Sequence, residues 1–226
     1  MFYFFSLLFE SERTELIVLG RVIDGDTFES KDGRTFRLAN INAPEKNTPG
    51  AGLSKAFLEE FQNQTLEIEN LGADKYDRHL ARVYSQEYIN LKLVSEGLAS
   101  KFLVDSSELQ VFARAEREAV QEGKGIWTHS PHLGCIKSNI NEKEEVIRLI
   151  NKCNISTARW YLKDESRKIY YFNATFLDIR LHSGKGKENV TDLFWQNSAG
   201  VWNNDRDSAY IFDEEGRIVH YDSYGY

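Results

Sequence analysis

The sequence predicts two folds in series: a small, partly open β-barrel carrying three helices, then an all-β sandwich. Three observations predict this. Up to about residue 130, five strand-like stretches interleave with three helical ones. Helical periodicity then largely disappears, and short strands follow at regular spacing. Between the two textures lies His129-Ser-Pro-His-Leu-Gly134, which reads as a linker and holds Pro131, one of only three prolines in 226 residues.

Taken in order, Glu15 to Ile23 is β-branched and aliphatic without a helix cap, hence a strand. Asp24-Gly-Asp26 breaks it. Thr27–Ser30 and Arg34–Leu38 then form a hairpin across Asp32-Gly33, the strongest short turn signal. Pro44 and Pro49-Gly50 mark a loop. From Ser54 to Gln64 the period becomes helical, with Ser54 as the expected N-cap. Leu66–Asn70 and His79–Tyr84 are strands around the loop Ala73–Arg78. A short helix is expected over Asn90–Gly97. A longer one is expected to start at a Ser106-Ser107 cap and stop at Gly123. In the second half, strands are expected at Trp160–Leu162, Ile169–Phe172, Thr175–Leu181, Asp192–Trp195, Ala209–Phe212 and Arg217–Tyr221. A short helix is allowed over Asn141–Leu149.

Composition limits the function. Hydrophobic residues make up 41% and aromatics 13%, enough for a packed core. Residues 1–134 carry 15 Lys+Arg against 21 Asp+Glu, and residues 135–226 carry 13 against 14. Neither half is basic, so broad, salt-driven coating of nucleic acid is excluded, and a polynucleotide must be held locally. The apolar start Met1–Phe9 is too short to span a bilayer. It reads either as a shortened export signal or as a strand added to the sheet. Cys135 and Cys153 read either as a disulfide, which suits an oxidising compartment, or as two buried thiols. Asn63, Asn154, Asn173 and Asn189 head Asn-x-Ser/Thr triplets that matter only in an exported, glycosylated chain. The five histidines have no metal-ligand spacing, and Trp127, Trp160, Trp195 and Trp202 read as core aromatics.

One stretch carries chemistry. Val22–Glu45 holds two polar clusters, Asp24-Gly-Asp26 and Asn42-Ala-Pro-Glu45, at the two ends of the hairpin, with Arg37 on its return strand. A strand out and a strand back bring both clusters to one end of a sheet. Each residue alone has an ordinary structural reading as turn, cap or surface ion pair.

Residues 16–127 resemble the staphylococcal (thermo)nuclease family. The matching runs are Val22-Ile-Asp-Gly-Asp-Thr-Phe28, Phe36-Arg-Leu38, Ala43-Pro-Glu45, Asp74-Lys-Tyr-Asp-Arg78, Gly97-Leu-Ala99, and Ala115-Glu-Arg-Glu-Ala119 running on to Gly125-Ile-Trp127. The resemblance implies an OB-fold barrel with three helices, an α+β fold, that hydrolyses phosphodiester bonds of DNA or RNA with calcium. It implies Asp26, Asn42 and the carbonyl of Ala43 as metal ligands, with Asp24 acting through water. It implies Arg37 and Arg78 as phosphate-gripping residues, Glu45 as the carboxylate that activates water, and Lys75 and Tyr76 as contacts to a terminal phosphate. A hard cation takes oxygen ligands and polarises a phosphoryl oxygen, while guanidiniums hold the charge that develops.

Two departures stand out. Asn42 replaces the family's usual aspartate and removes a negative charge, so weaker calcium binding is expected. Asp77 replaces the usual glycine before Arg78, where it is expected to shift that loop or accept a hydrogen bond from Arg78. The alternative to an active enzyme is a catalytically weakened nucleic-acid-binding protein.

Residues 135–226 resemble a lamin-tail domain, an immunoglobulin-like sandwich. The resemblance rests on Trp160-Tyr-Leu-Lys-Asp164, Tyr171-Phe172, Leu193-Phe-Trp195, Val201–Ala209, Asp213–Val219 and Tyr221. It implies a binding or anchoring role with an unidentified partner, and a disulfide between Cys135 and Cys153. The expected division is an apolar segment at 1–15, a nuclease-like domain at 16–130 and the sandwich at 135–226. The whole is expected to be monomeric, without a membrane span, and extracellular or envelope-associated.

Overall fold

The computed structural model describes residues 14–226. The expected N-terminal signal or extra strand thus lies outside the described residues, apart from the last two positions of that segment. Strands β1 (Thr14–Asp24), β2 (Thr27–Ser30), β3 (Thr35–Leu38), β4 (Ile41–Asn42), β5 (Thr65–Ala73) and β6 (His79–Tyr84) build the first half. β1-β2-β3-β6-β5 close into a barrel. Within the barrel only β3 and β6 pair in parallel, with Arg37 opposite Leu80. Side chains alternate, so Ile17, Leu19, Phe28, Phe36, Leu66, Ile68, Ala81 and Val83 fill the interior. The turn from β1 to β2 needs Gly25: a Cβ there would meet the Cβ of Ser54 at 2.4 Å and that of Ala43 at 2.7 Å. This close approach draws Asp24, Asp26 and the Ala43 loop together.

Three helices close around the barrel: α1 (Ala51–Glu59), α2 (Ile89–Ser95) and α3 (Leu109–Glu122). β7 (Ser100–Lys101) pairs with β4. Two helix starts differ from expectation. α1 begins after Gly50, which is left-handed at φ 86°, and ends at Glu59. Ser54 does not cap it. It lies buried within the helix, its Oγ donating to the carbonyl of Leu98 at 2.5 Å. Similarly, Ser107 folds back on Asp105 Oδ1 through its N–H (2.9 Å) and Oγ (2.6 Å), and α3 starts from Glu108 without a side-chain cap. Both hydroxyls donate to oxygens elsewhere and accept from no N–H at the helix start. Gly123 does terminate α3 in the left-handed conformation.

The second half has no helix among its described residues. The Asn141–Leu149 stretch is a hairpin, β8 (Ile136–Asn141) and β9 (Val146–Asn151). Ile147 and Leu149 are buried on either side of exposed Arg148, a two-residue period that a helix cannot satisfy. β10 (Tyr161–Asp164), β11 (Ile169–Tyr171), β12 (Asp178–His182), β13 (Asp192–Phe194), β14 (Asp207–Phe212) and β15 (Ile218–Tyr224) follow. They form two four-stranded sheets, β11-β10-β14-β15 and β13-β12-β9-β8. Trp160, Leu162, Phe172, Leu181, Trp202 and Ile211 belong to the core these sheets share. Cys135 and Cys153 are joined as a disulfide, Cα atoms 5.3 Å apart. No helix among the described residues is long and apolar enough to cross a membrane.

The expected linker is laid along β15. Ser130 N–H donates to the carbonyl of Ile218 (2.9 Å) and Gly134 N–H to that of Val219 (3.1 Å). The two halves also share a core in which Trp127 stacks on Tyr210 with ring centroids 5.0 Å apart. Below it lies a buried polar network. Lys101 Nζ donates to Glu116 Oε2 at 2.6 Å and to Ser208 Oγ at 2.5 Å, and the hydroxyls of Tyr210 and Tyr221 donate to Glu116, each at 2.9 Å.

Glu165 adjoins this network. It accepts from Tyr226 (2.5 and 2.6 Å), Ser208 (3.2 Å) and the N–H of Leu103 (3.3 Å). Burial raises its pKa to about 7, against the pull of Lys101 and Tyr226. The folded chain therefore binds this proton more tightly than the unfolded chain does. That contribution is complete below about pH 4.5 and is lost as pH rises through 7. Stability at neutral to alkaline pH is expected to fall by roughly 2–3 kcal/mol from this group. Glu165→Gln should flatten the melting-temperature profile between pH 4.5 and 7; an unchanged profile would show that Glu165 does not titrate in that window.

Candidate functional site

The hairpin of β2 and β3, the β4 loop and the β5–β6 loop frame one cleft of about 1500 Å³. Asp24, Asp26, Arg37, Asn42, Glu45, Lys75, Tyr76 and Arg78 all line it. Residues far apart in sequence thus reach one place because β3 pairs with both β2 and β6.

Arg37 is buried at the cleft floor. Its Nη1 donates to the carbonyl of Leu38 (2.6 Å), and Nη2 donates to the carbonyl of Ile41 and to Asn42 Oδ1, both at 2.8 Å. Nη2 also lies 3.3 Å from Asp26 Oδ2. Burial pulls its pKa below the usual arginine range. Asp26 opposes this, while Arg167 and Arg78 push the same way as burial. Asp26 is anchored on both oxygens: Oδ1 accepts from Thr27 Oγ1 (3.0 Å) and Oδ2 from the N–H of Ala43 (2.8 Å). Asp24 Oδ1 accepts the N–H of Asp26 at 3.1 Å. Burial, and then the charge of Asp26, push Asp24 above the usual carboxylate range.

Arg78 approaches from the other wall. Its Nε donates to Asp74 Oδ2 at 2.8 Å, Nη2 lies 2.7 Å from the same oxygen, and the guanidinium carbon sits 5.2 Å from the Tyr76 ring centre. Against the upward pull of burial, these hydrogen bonds hold Asp74 below its usual range. Asp77 is left-handed at φ 63°, the conformation a glycine adopts freely. The carboxylate that receives Arg78 is that of Asp74, not of Asp77. Tyr76 is exposed and carries Lys75 Nζ 4.9 Å from its ring centre.

The residue that sequence reasoning missed is Arg167. It occupies the tip of the β10–β11 hairpin, in the other half of the chain, at φ 73°. Its Nη2 donates to Asn42 Oδ1 at 2.6 Å and lies 3.9 Å from Asp26 Oδ2, and its Nη1 pairs with Glu45 Oε1. The only signal was the turn sequence Asp164-Glu-Ser, which marks a hairpin but not what its tip faces.

This arrangement does not fit a calcium ion. Calcium takes six to eight oxygens. Here both Asp26 oxygens already accept hydrogen bonds, Asn42 Oδ1 receives two guanidiniums, and Glu45 is paired. Asn42 Nδ2 donates to the carbonyl of Glu165 (3.1 Å), which fixes the amide in that orientation. Ala43 contributes its N–H to Asp26. Among the described residues no group of three or more His, Cys, Asp or Glu is placed to hold a metal.

A closed five-stranded barrel with three helices and a cleft of arginines and carboxylates is the architecture of an OB-fold nuclease domain. The sequence comparison makes the assignment particular: residues 35–129 match the family model described as Staphylococcal nuclease homologue. That stretch is similar to a staphylococcal nuclease-family domain, and members of the family are nucleases. The match includes Arg37, Asn42, Glu45 and Arg78. It begins after Asp24 and Asp26. No curated protein matches the chain.

Proposed function

We propose that the chain binds DNA or RNA in this cleft and hydrolyses its phosphodiester bonds. The observation that carries the reading is the convergence of Arg37, Arg78 and Glu45 on one cleft within the family match. Arg37, braced by backbone carbonyls, and Arg78, aimed by Asp74, are suited to receive the phosphoryl oxygens. Their hold tightens as negative charge develops there. Glu45 is the general base, taking a proton from the attacking water once a substrate phosphate draws Arg167 from it. Lys75 and Tyr76, exposed on the rim, are placed to meet a neighbouring phosphate or base.

The sheets after residue 135 are an accessory binding or anchoring module of lamin-tail type, and the Cys135–Cys153 disulfide supports export to an oxidising compartment. One observation favours a second reading, nucleic-acid binding without hydrolysis: the pairing of Glu45 with Arg167. Incubation of the full chain with single-stranded DNA and with RNA separates the two. Arg78→Ala is expected to slow cleavage by about 10²–10³-fold. Retardation of either polymer without any cleavage would replace the first reading by the second, and equal cleavage by wild type and variant would overturn the assignment of the cleft.

A further inference from the structure

We infer that Arg167 is the resident cation of this site: its guanidinium holds the place between Asp26, Asn42 and Glu45, so that the cleft engages a phosphodiester with three arginines and no metal ion. The inference rests on the reading that the cleft binds phosphodiesters. It deepens that reading by making the site composite, one arginine coming from the second half of the chain.

The ligand set matches the cation. Asn42 offers an amide oxygen where a carboxylate would supply a second full charge beside Asp26. A guanidinium carries one positive charge and directional N–H groups, and an amide oxygen and one carboxylate suffice for it. Asn42 Oδ1 receives Arg37 Nη2 at 2.8 Å and Arg167 Nη2 at 2.6 Å. The amide cannot simply turn away, because its Nδ2 is held by the carbonyl of Glu165.

The hairpin tip that carries Arg167 is built to stay in place. Asp164, fully buried, accepts from the N–H of Lys168 and from Ser166 Oγ, both at 2.6 Å. The N–H of Arg167 closes the turn onto the carbonyl of Asp164 at 3.2 Å. Glu165 N–H donates to Asp207 Oδ1 (3.3 Å), and the Glu165 carboxylate reaches the N–H of Leu103 on the barrel side. Arg167 itself accepts a left-handed backbone, which a non-glycine residue adopts at a cost. Its side chain remains 26% exposed and lines the cleft, within reach of a phosphate.

The test uses the full chain and two readouts. In the first, a short fluorescein-labelled oligothymidylate is titrated in EDTA. Arg167→Ala is expected to bind about tenfold to a hundredfold more weakly than wild type, as for loss of a charge-assisted hydrogen-bonded contact, and Arg167→Lys to recover part of the loss. Equal or tighter binding by Arg167→Ala would overturn the inference and make Arg167 a plug on the site. In the second, the melting temperature is compared in millimolar calcium and in EDTA. Wild type is expected to show no shift, and Asn42→Asp/Arg167→Ala a clear upward one. A wild-type shift as large as that of the double variant would place calcium, not Arg167, in the site. If wild type binds no oligonucleotide, the phosphodiester reading fails while the calcium comparison still decides which cation the site holds.

Discussion

Glu45→Gln is expected to slow phosphodiester cleavage by about 10²–10⁴-fold while leaving oligonucleotide affinity within a few-fold of wild type. Glutamine keeps the size and an acceptor oxygen of Glu45 but cannot take a proton, so the chemical step is lost selectively. The side chain lies 66% exposed at the cleft rim, so the substitution leaves the core untouched and a folding defect is not expected. Its partner sharpens the prediction. Arg167 Nη1 pairs with Glu45 Oε1, and a phosphate that competes for that guanidinium would release this oxygen. Removing the carboxylate also frees Arg167, so substrate affinity is expected to hold or rise slightly as kcat falls. A parallel loss in kcat and affinity would mean that Glu45 positions substrate and is not the base. Unchanged cleavage would remove it from the mechanism.

The residues of the first half were legible to the degree that their signals are local. Asp32-Gly33 announced the hairpin, and Gly123 announced the end of α3. Asp26, Arg37 and Glu45 could be placed together because short loops join the strands beside them, whereas Arg78, beyond α1 and β5, was placed only by the family resemblance. Ser54 and Ser107 misled because a serine before an apolar run has several acceptors to choose from, and tertiary contacts decided. The β8–β9 hairpin was hidden by the charged turn Glu142–Glu145, which resembles the first turn of a helix. Arg167 was not legible at all. It meets Glu45 across 122 residues, and nothing in a turn sequence states which surface its tip will cover. Asn42 was visible as a departure from the family pattern, yet its meaning depended on that distant arginine. A lost charge and a gained cation explain each other only once both are seen in the same cleft.

Glu116→Ala is expected to destabilise the chain by about 3–5 kcal/mol, a large part of a typical folding free energy. Glu116 and Lys101 are both fully buried, and the Glu116 carboxylate is the hub. It accepts from Lys101 Nζ (2.6 Å), from the backbone N–H of Lys101 and from the hydroxyls of Tyr210 and Tyr221, these three each at 2.9 Å. Burial pulls the Lys101 ammonium down, but the charge of Glu116, Tyr221, Glu165 and the Glu116 hydrogen bond together outweigh it and hold the lysine protonated. Deleting the carboxylate leaves the buried Lys101 with only the more distant Glu165 (4.0 Å) as a counter-charge, and it orphans three donors, each of which costs more than the hydrogen bond it lost. Urea denaturation is the measurement, and a loss under about 1 kcal/mol would refute the assignment of Glu116 as the hub. Replacing both partners, Lys101→Met with Glu116→Leu, is expected to cost less than the single change, because no unpaired charge remains. The location of the network adds a second signature. Lys101 and Glu116 come from β7 and α3, whereas Ser208, Tyr210 and Tyr221 come from β14 and β15. Wild type is therefore expected to unfold in one cooperative transition and Glu116→Ala less cooperatively, since the substitution removes one of the contacts that bind the sheets to the barrel, beside the Trp127–Tyr210 core. The same loosening should release the Glu165 turn, and with it the hold of Arg167 on the cleft.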